Sequence, residues 1–161
     1  MARRYARAPK GERAYGSVPR NRGKNTTLIA SMMVGGMGVA MAVEGSTTGR
    51  VFKTYVEHFL APTLAEGQVV IWDNLGAHKG GKVRELIEAK GAEVLFLPAY
   101  SPDLNPTEEA FSKIKALLKK AAARTREALV EAMGEALCNV TSQDARGWFT
   151  HCGYEIGAQR S

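Results

Sequence analysis

No stretch of this chain is apolar over the roughly 20 residues needed to span a membrane. The N-terminus MARRYARAPKG is basic but has no apolar segment behind it, so it lacks the layout of a secretory signal. The two cysteines, Cys138 and Cys152, fit neither a zinc-binding spacing nor a disulfide framework. A reduced, cytoplasmic setting is therefore expected. Internal repeats and low-complexity linkers are missing too. Acidic residues are scarce at one end, where Glu12 is the only one among the first 24 residues, and no aspartate precedes Asp73. No Ser/His/Asp set stands out, which argues against a covalent serine mechanism.

What is present describes one soluble domain. The 161 residues are 45% hydrophobic and 24% charged, ordinary proportions for a globular chain able to bury a core. The charge is unevenly placed. Eight Lys/Arg against one acid give residues 1–24 a local +7, while the whole chain carries +6. All of the positive excess thus lies in that arm, and clusters of this kind attract polyanions, nucleic acid above all. Residues 1–24 read as a basic arm and 25–161 as the body of the same domain. Arg3, Arg4, Arg7, Arg20, Arg22 and Lys24 are the arm's candidate phosphate contacts, with Tyr5 and Tyr15 available to stack on bases. A solvated terminus is the competing reading.

Periodicity gives an α/β order. Thr26 to Val34 and Val39 to Val43 read as strands of a hairpin around Gly35, Gly36 and Gly38. Thr47 or Thr48 can cap a helix with Phe52, Val56, Phe59 and Leu60 inward, closed by Pro62. Val69 to Trp72 is a continuous apolar run suited to a strand buried on both faces. A helix bearing Val83, Leu86 and Ile87 follows, capped by Gly91, and then a second apolar run, Val94 to Leu97. Strand, helix, strand predicts a parallel pair whose carboxyl ends share one edge. Beyond Pro98, Asn105 can cap a helix with Pro106 at its first position and Phe111, Ile114, Leu117 and Leu118 inward. Lys113 and Lys115 lie on its outer face as further candidate DNA contacts. Thr125 can cap another helix with Leu129, Val130, Met133 and Leu137 inward, and a short helix is expected over Ser142 to Phe149. His151 and Cys152 read as packing residues.

Two acids are placed for chemistry. Asp73 ends the first parallel strand, and Glu108 falls in the first turn of the helix after Pro106, with 34 residues between them. Ligands in open α/β sheets sit at the carboxyl edge, so both acids should meet there. Each has a bland reading as well: Asp73 as a turn residue, Glu108 as the partner of Asn105 in a capping box.

The segments IWDNLGAH and PAYSPDLNPTE carry a resemblance that the spacing alone does not. They are similar to the catalytic domain of mariner-superfamily transposases of the DDE/DDD type, in the branch found in bacterial insertion sequences. The resemblance covers nearly the whole chain. It is densest at Asp73-Asn74 with His78, and at Ser101 to Pro106 followed by Glu108; the closing His151 to Tyr154 also fits. It implies a ribonuclease-H-like mixed sheet flanked by helices, and DNA strand cleavage and joining at transposon ends. It also implies a two-ion Mg²⁺ site, with Mn²⁺ as substitute, held by Asp73, Glu108 and a further Asp. Asn74, His78 and Asn105 would support that site.

One acid of the pattern has no match. The earlier acids Glu12, Glu44, Glu57 and Glu66 sit in no corresponding motif. The expectation is an N-terminally incomplete catalytic domain without its first, central strand. It would be one half of a split transposase or a decayed copy, weak or inactive in isolation, and prone to join a partner fragment or itself. Two rivals remain at this level: a non-catalytic DNA-binding remnant, and a small doubly wound protein using one metal for phosphate-ester hydrolysis.

Overall fold

The computed structural model describes residue 10, residues 25–73 and residues 81–156. The arm residues Arg3, Arg4, Arg7, Arg20, Arg22 and Lys24, and the expected supporting residues Asn74 and His78, lie outside the described residues.

The chain begins with the antiparallel hairpin β1 (Thr26–Met33) and β2 (Gly36–Glu44). The turn is shorter than the glycine pattern suggested, only Val34 and Gly35, because Gly36 and Gly38 belong to β2. Gly36 has φ +129, a conformation that favours glycine, and a Cβ there would lie 3.3 Å from the Val140 carbonyl. The register slips by one residue between Ala30↔Ala40 and Met32↔Met37, so Gly38 and Val39 together oppose Ser31. A Cβ on Gly38 would come within 2.5 Å of Ser31 Oγ, so a side chain there would displace that hydroxyl from Val39 O. The bulge takes the Val39 carbonyl out of the regular ladder, and it accepts from Ser31 Oγ at 3.3 Å and from Tyr55 Oη at 2.8 Å.

That extra residue also decides which way β2 faces. Without it Met37, Val39 and Met41 would share one face, because side chains alternate with period two. With it Met37 packs on one side of the hairpin, while Val39 and Met41 pack on the other. The hairpin thereby serves two cores. Ile29, Val39 and Met41 join Phe52, Tyr55, Val56, Leu60, Trp72 and Ile87. Leu28 and Met37 join Ile114, Leu118, Met133, Ala136 and Val140.

On the first side lies α1 (Gly49–Tyr55), capped by the Thr48 side chain accepting from Val51 N–H. It widens into a π-helical turn, Val56–Leu60, and tightens into a 3₁₀ turn, Ala61–Thr63, where Pro62 ends it. The wide turn rotates the expected apolar stripe: Val56 and Leu60 are buried, Tyr55 joins them, and Phe59 is left exposed at 38%. Next come β3 (Val69–Trp72), α2 (Gly81–Glu88) and β4 (Glu93–Phe96), and β3 and β4 pair in parallel. Gly91, at φ +73, turns the chain out of α2; its close approach to Glu66 would not admit a side chain.

One expectation about these elements fails. Val70, Trp72, Val94 and Phe96 face the first core, but Val69 and Leu95 on the opposite face are 52% and 51% exposed. The pair is covered on one face rather than both, because the helices of the second layer pack over the hairpin instead. Among the described residues the two ladders, β1–β2 and β3–β4, stay separate, as expected of a sheet without its central strand.

The second layer holds α3 (Pro106–Ala121), α4 (Arg126–Cys138) and α5 (Ser142–His151). Thr125 caps α4, and Thr141 caps α5 in a reciprocal box with Asp144. On α4 Leu129, Met133 and Leu137 pack inward as expected, joined by the buried Ala132 and Ala136, while Val130 is exposed. Small alanines let α4 lie close to its neighbours, a packing that hydropathy alone does not rank highly. Cys152 is buried as expected, whereas His151 is exposed. No helix among the described residues is long and apolar enough to cross a membrane.

Candidate active site

β3 ends at Trp72, whose indole is buried against Phe52 and Phe96 in edge-to-face contacts of 5.5 and 6.0 Å. That anchor fixes where the next residue, Asp73, leaves the sheet. Trp72 O accepts from Leu97 N–H at 2.7 Å, so the two parallel strands end together. Asp73 is half-buried at this shared edge.

Beyond β4 the loop from Leu97 to Asn105 folds back over the same edge, with a 3₁₀ turn at Pro102–Leu104. Asn105 then caps α3: its Oδ1 accepts from Thr107 N–H at 3.2 Å and from the Thr107 hydroxyl at 2.6 Å, and Pro106 holds the first position. Glu108 follows in the first turn. The capping-box reading of Glu108 is not what the fold uses, because the Asn105 N–H donates to Pro102 O at 3.0 Å instead. Among the described residues no hydrogen bond or ion pair engages the Glu108 carboxylate, and its side chain is exposed.

Asp73 and Glu108 line one cleft of about 400 Å³, with Leu97 to Pro102 and Asn105 as the remaining wall. The crossover thus brings together two acids that are 34 residues apart in sequence. Asn105 is there too, with its side-chain oxygen committed to the cap. The 3₁₀ turn is fastened from behind by Tyr154, whose hydroxyl donates to Leu104 O at 2.7 Å. Burial raises the Tyr154 phenol above its usual range, which keeps it a neutral donor. Sequence reasoning noted His151 to Tyr154 only as part of a resemblance; no local signal marked Tyr154 as a support for this loop.

The lysines of α3 divide. Lys115 is exposed. Lys113 is engaged, its Nζ lying 2.6 Å from Asp144 Oδ2 across to α5. That bond, with those from Thr141, holds the Asp144 carboxyl down at about 2.

The donor set decides what the cleft can hold. Two carboxylates are hard oxygen donors, which suit Mg²⁺ or Mn²⁺ rather than a thiolate- or imidazole-loving ion. Among the described residues no group of three or more His, Cys, Asp or Glu is placed to hold a metal. Two carboxylates are compatible with Mg²⁺, which keeps several waters and completes its shell from substrate phosphates.

Solved structures share the fold at low identity. A Mos1 strand transfer complex matches with a TM-score of 0.72 and 20% identity, covering 93% of this chain and 46% of that one. A Mos1 mariner paired end complex with Mn matches at 0.74 and 19%, covering 94% and 48%. The catalytic domain of Mos1 mariner transposase matches at 0.66 and 18%, covering 80% and 69%. This chain therefore spans about half the length of the first two. The fold is ribonuclease-H-like, a mixed α/β arrangement of small sheets flanked by helices. No curated protein sequence matches it. The family model for DDE superfamily endonucleases matches residues 1–130, and the chain belongs to that family.

Proposed function

We propose that this chain serves DNA transposition, contributing Asp73 and Glu108 to a divalent-metal site that cleaves and joins DNA strands at insertion-sequence ends. The observation that carries the reading is that these two acids line one cleft at the carboxyl edge of a parallel strand pair. Family membership and the similar structures, a Mos1 strand transfer complex and a Mos1 paired end complex with Mn, support it.

Bound divalent ions would supply charge neutralisation at the phosphodiester and an activated oxygen nucleophile. The chain's own residues do the positioning. Asp73 and Glu108 would hold the ions, Asp73 from a half-buried strand end and Glu108 from a capped helix start. Asn105 and Pro106 fix the direction in which α3 leaves the loop, and therefore where Glu108 stands. Lys115, on the exposed face of α3, and the basic residues Arg3, Arg4, Arg7, Arg20, Arg22 and Lys24 would contact the DNA backbone. The proposed partner besides DNA is a segment or second copy that covers the exposed Val69 and Leu95. The setting proposed for this work is the cytoplasm.

The test is DNA binding by fluorescence anisotropy across a salt series, with and without Mn²⁺. The expected result is salt-dependent binding that Mn²⁺ tightens in the wild type and leaves unchanged in Asp73→Asn and Glu108→Gln. Binding indifferent to metal in all three proteins would leave only a DNA-binding remnant, and no binding at all would end the reading.

A further inference from the structure

The wall of the acidic cleft carries one aromatic side chain among the described residues, Tyr100. Its side chain is fully exposed, at 101%. A tyrosine ring normally contributes to a fold by burying its apolar faces, and this one buries none. Its backbone adds to the puzzle. Tyr100 sits at φ 60, in the left-handed region that glycine enters freely and a tyrosine enters at a cost. Folding therefore gains nothing from the ring and is opposed by the backbone. Strained, exposed positions of this kind gather at ligand sites, and Tyr100 stands on the same cleft wall as Asp73 and Glu108.

We propose that Tyr100 is a specificity-determining residue that stacks its ring on an unpaired nucleobase beside the phosphodiester held at Asp73 and Glu108. The proposal rests on the DNA reading given above. The chemistry favours a base. The carboxylates need cations between themselves and a phosphate, whereas an uncharged ring needs only a flat π-face. It favours an unpaired base because a base inside a duplex is already stacked on both sides. The strained backbone holds the ring clear of the protein, where both of its faces remain open.

The experiment uses the full chain with Mn²⁺ and two DNAs, a blunt duplex and the same duplex with a short 3′ overhang. 2-Aminopurine is placed in turn at each overhang position. Wild type and Tyr100→Phe should quench the fluorescence at one position, because stacking needs the ring and not the hydroxyl. Tyr100→Ala and Tyr100→Gly should lose that quenching and bind the overhang roughly tenfold more weakly, with blunt-duplex affinity unchanged. Tyr100→Gly should melt no lower than wild type, since it relieves the backbone, so its weaker binding cannot be assigned to unfolding. Equal quenching in Tyr100→Ala, or an equal loss on the blunt duplex, overturns the proposal while leaving the DNA reading intact. Failure of the wild type to bind either DNA overturns the DNA reading and this proposal with it.

Discussion

The Tyr154 hydroxyl donates to the Leu104 carbonyl oxygen at 2.7 Å, joining residues 50 apart and tying the segment after α5 to the loop that walls the acidic cleft. Phe149 packs edge-on against the Tyr154 ring at 5.6 Å and aims the hydroxyl. A loop lined by Pro98, Ala99 and Pro102 has few side chains able to hold it from within. The support comes instead from the far end of the chain.

Tyr154→Phe keeps the ring contact and removes the donor. The half-buried Leu104 carbonyl then loses its partner, at a cost of about 1 kcal/mol in urea denaturation. Mn²⁺ affinity at the cleft should fall as well, because the loop that precedes Glu108 is no longer fastened. An unchanged Mn²⁺ affinity would confine Tyr154 to a role in stability.

Asn105→Ala removes the cap of α3. The expected loss is about 1 kcal/mol, read from the shift of the urea midpoint. Asn105→Asp and Asn105→Ser should recover most of it, because both supply an oxygen to the Thr107 N–H. If they do not, the Asn105 side chain has a second task in the cleft beyond capping.

The Lys113–Asp144 pair gives the fold a pH dependence of known sign. Asp144 titrates at about 2 in the folded chain against an ordinary 3.8. Above pH 4 or so it is ionised in both states, and its stabilisation is fully present. As pH falls toward about 2 the unfolded chain takes up the proton first, and that stabilisation is lost. Stability measured from pH 5 down to pH 2.5 should therefore fall less steeply in Asp144→Asn than in wild type. Because the pair is solvent-accessible, added salt should flatten the wild-type curve.

Much of this arrangement can be read from the sequence where the cause is local. The Asn105-Pro106 helix start, the Thr125 cap and the Gly91 exit are each set by a few neighbouring residues, and the structure places all three. The parallel crossover follows from two apolar runs around one amphipathic helix. What escapes the sequence depends on distant partners. At the bulge of Gly38 and Val39 the freed Val39 carbonyl accepts its shorter hydrogen bond from Tyr55, a residue outside the hairpin. The inward turn of Ala132 and Ala136 reflects close helix packing that alanine's weak hydropathy does not signal. Lys113 read as a candidate DNA contact on the outer face of α3 because its partner, Asp144, lies 31 residues away. In the cleft, the meeting of Asp73 and Glu108 could be inferred from topology, whereas the exposed ring of Tyr100 and the tie from Tyr154 could not.

The central claim is that Asp73 and Glu108 act on the same cation. Titration of Mn²⁺ into the chain, followed by the EPR signal of the free ion, tests it most directly, using wild type, Asp73→Asn, Glu108→Gln and the double variant. The account predicts that either single substitution removes the saturable binding seen in wild type and that the double variant is no worse than either, the non-additivity of a shared site. Wild-type binding preserved in both single variants, or losses that simply add, would contradict it.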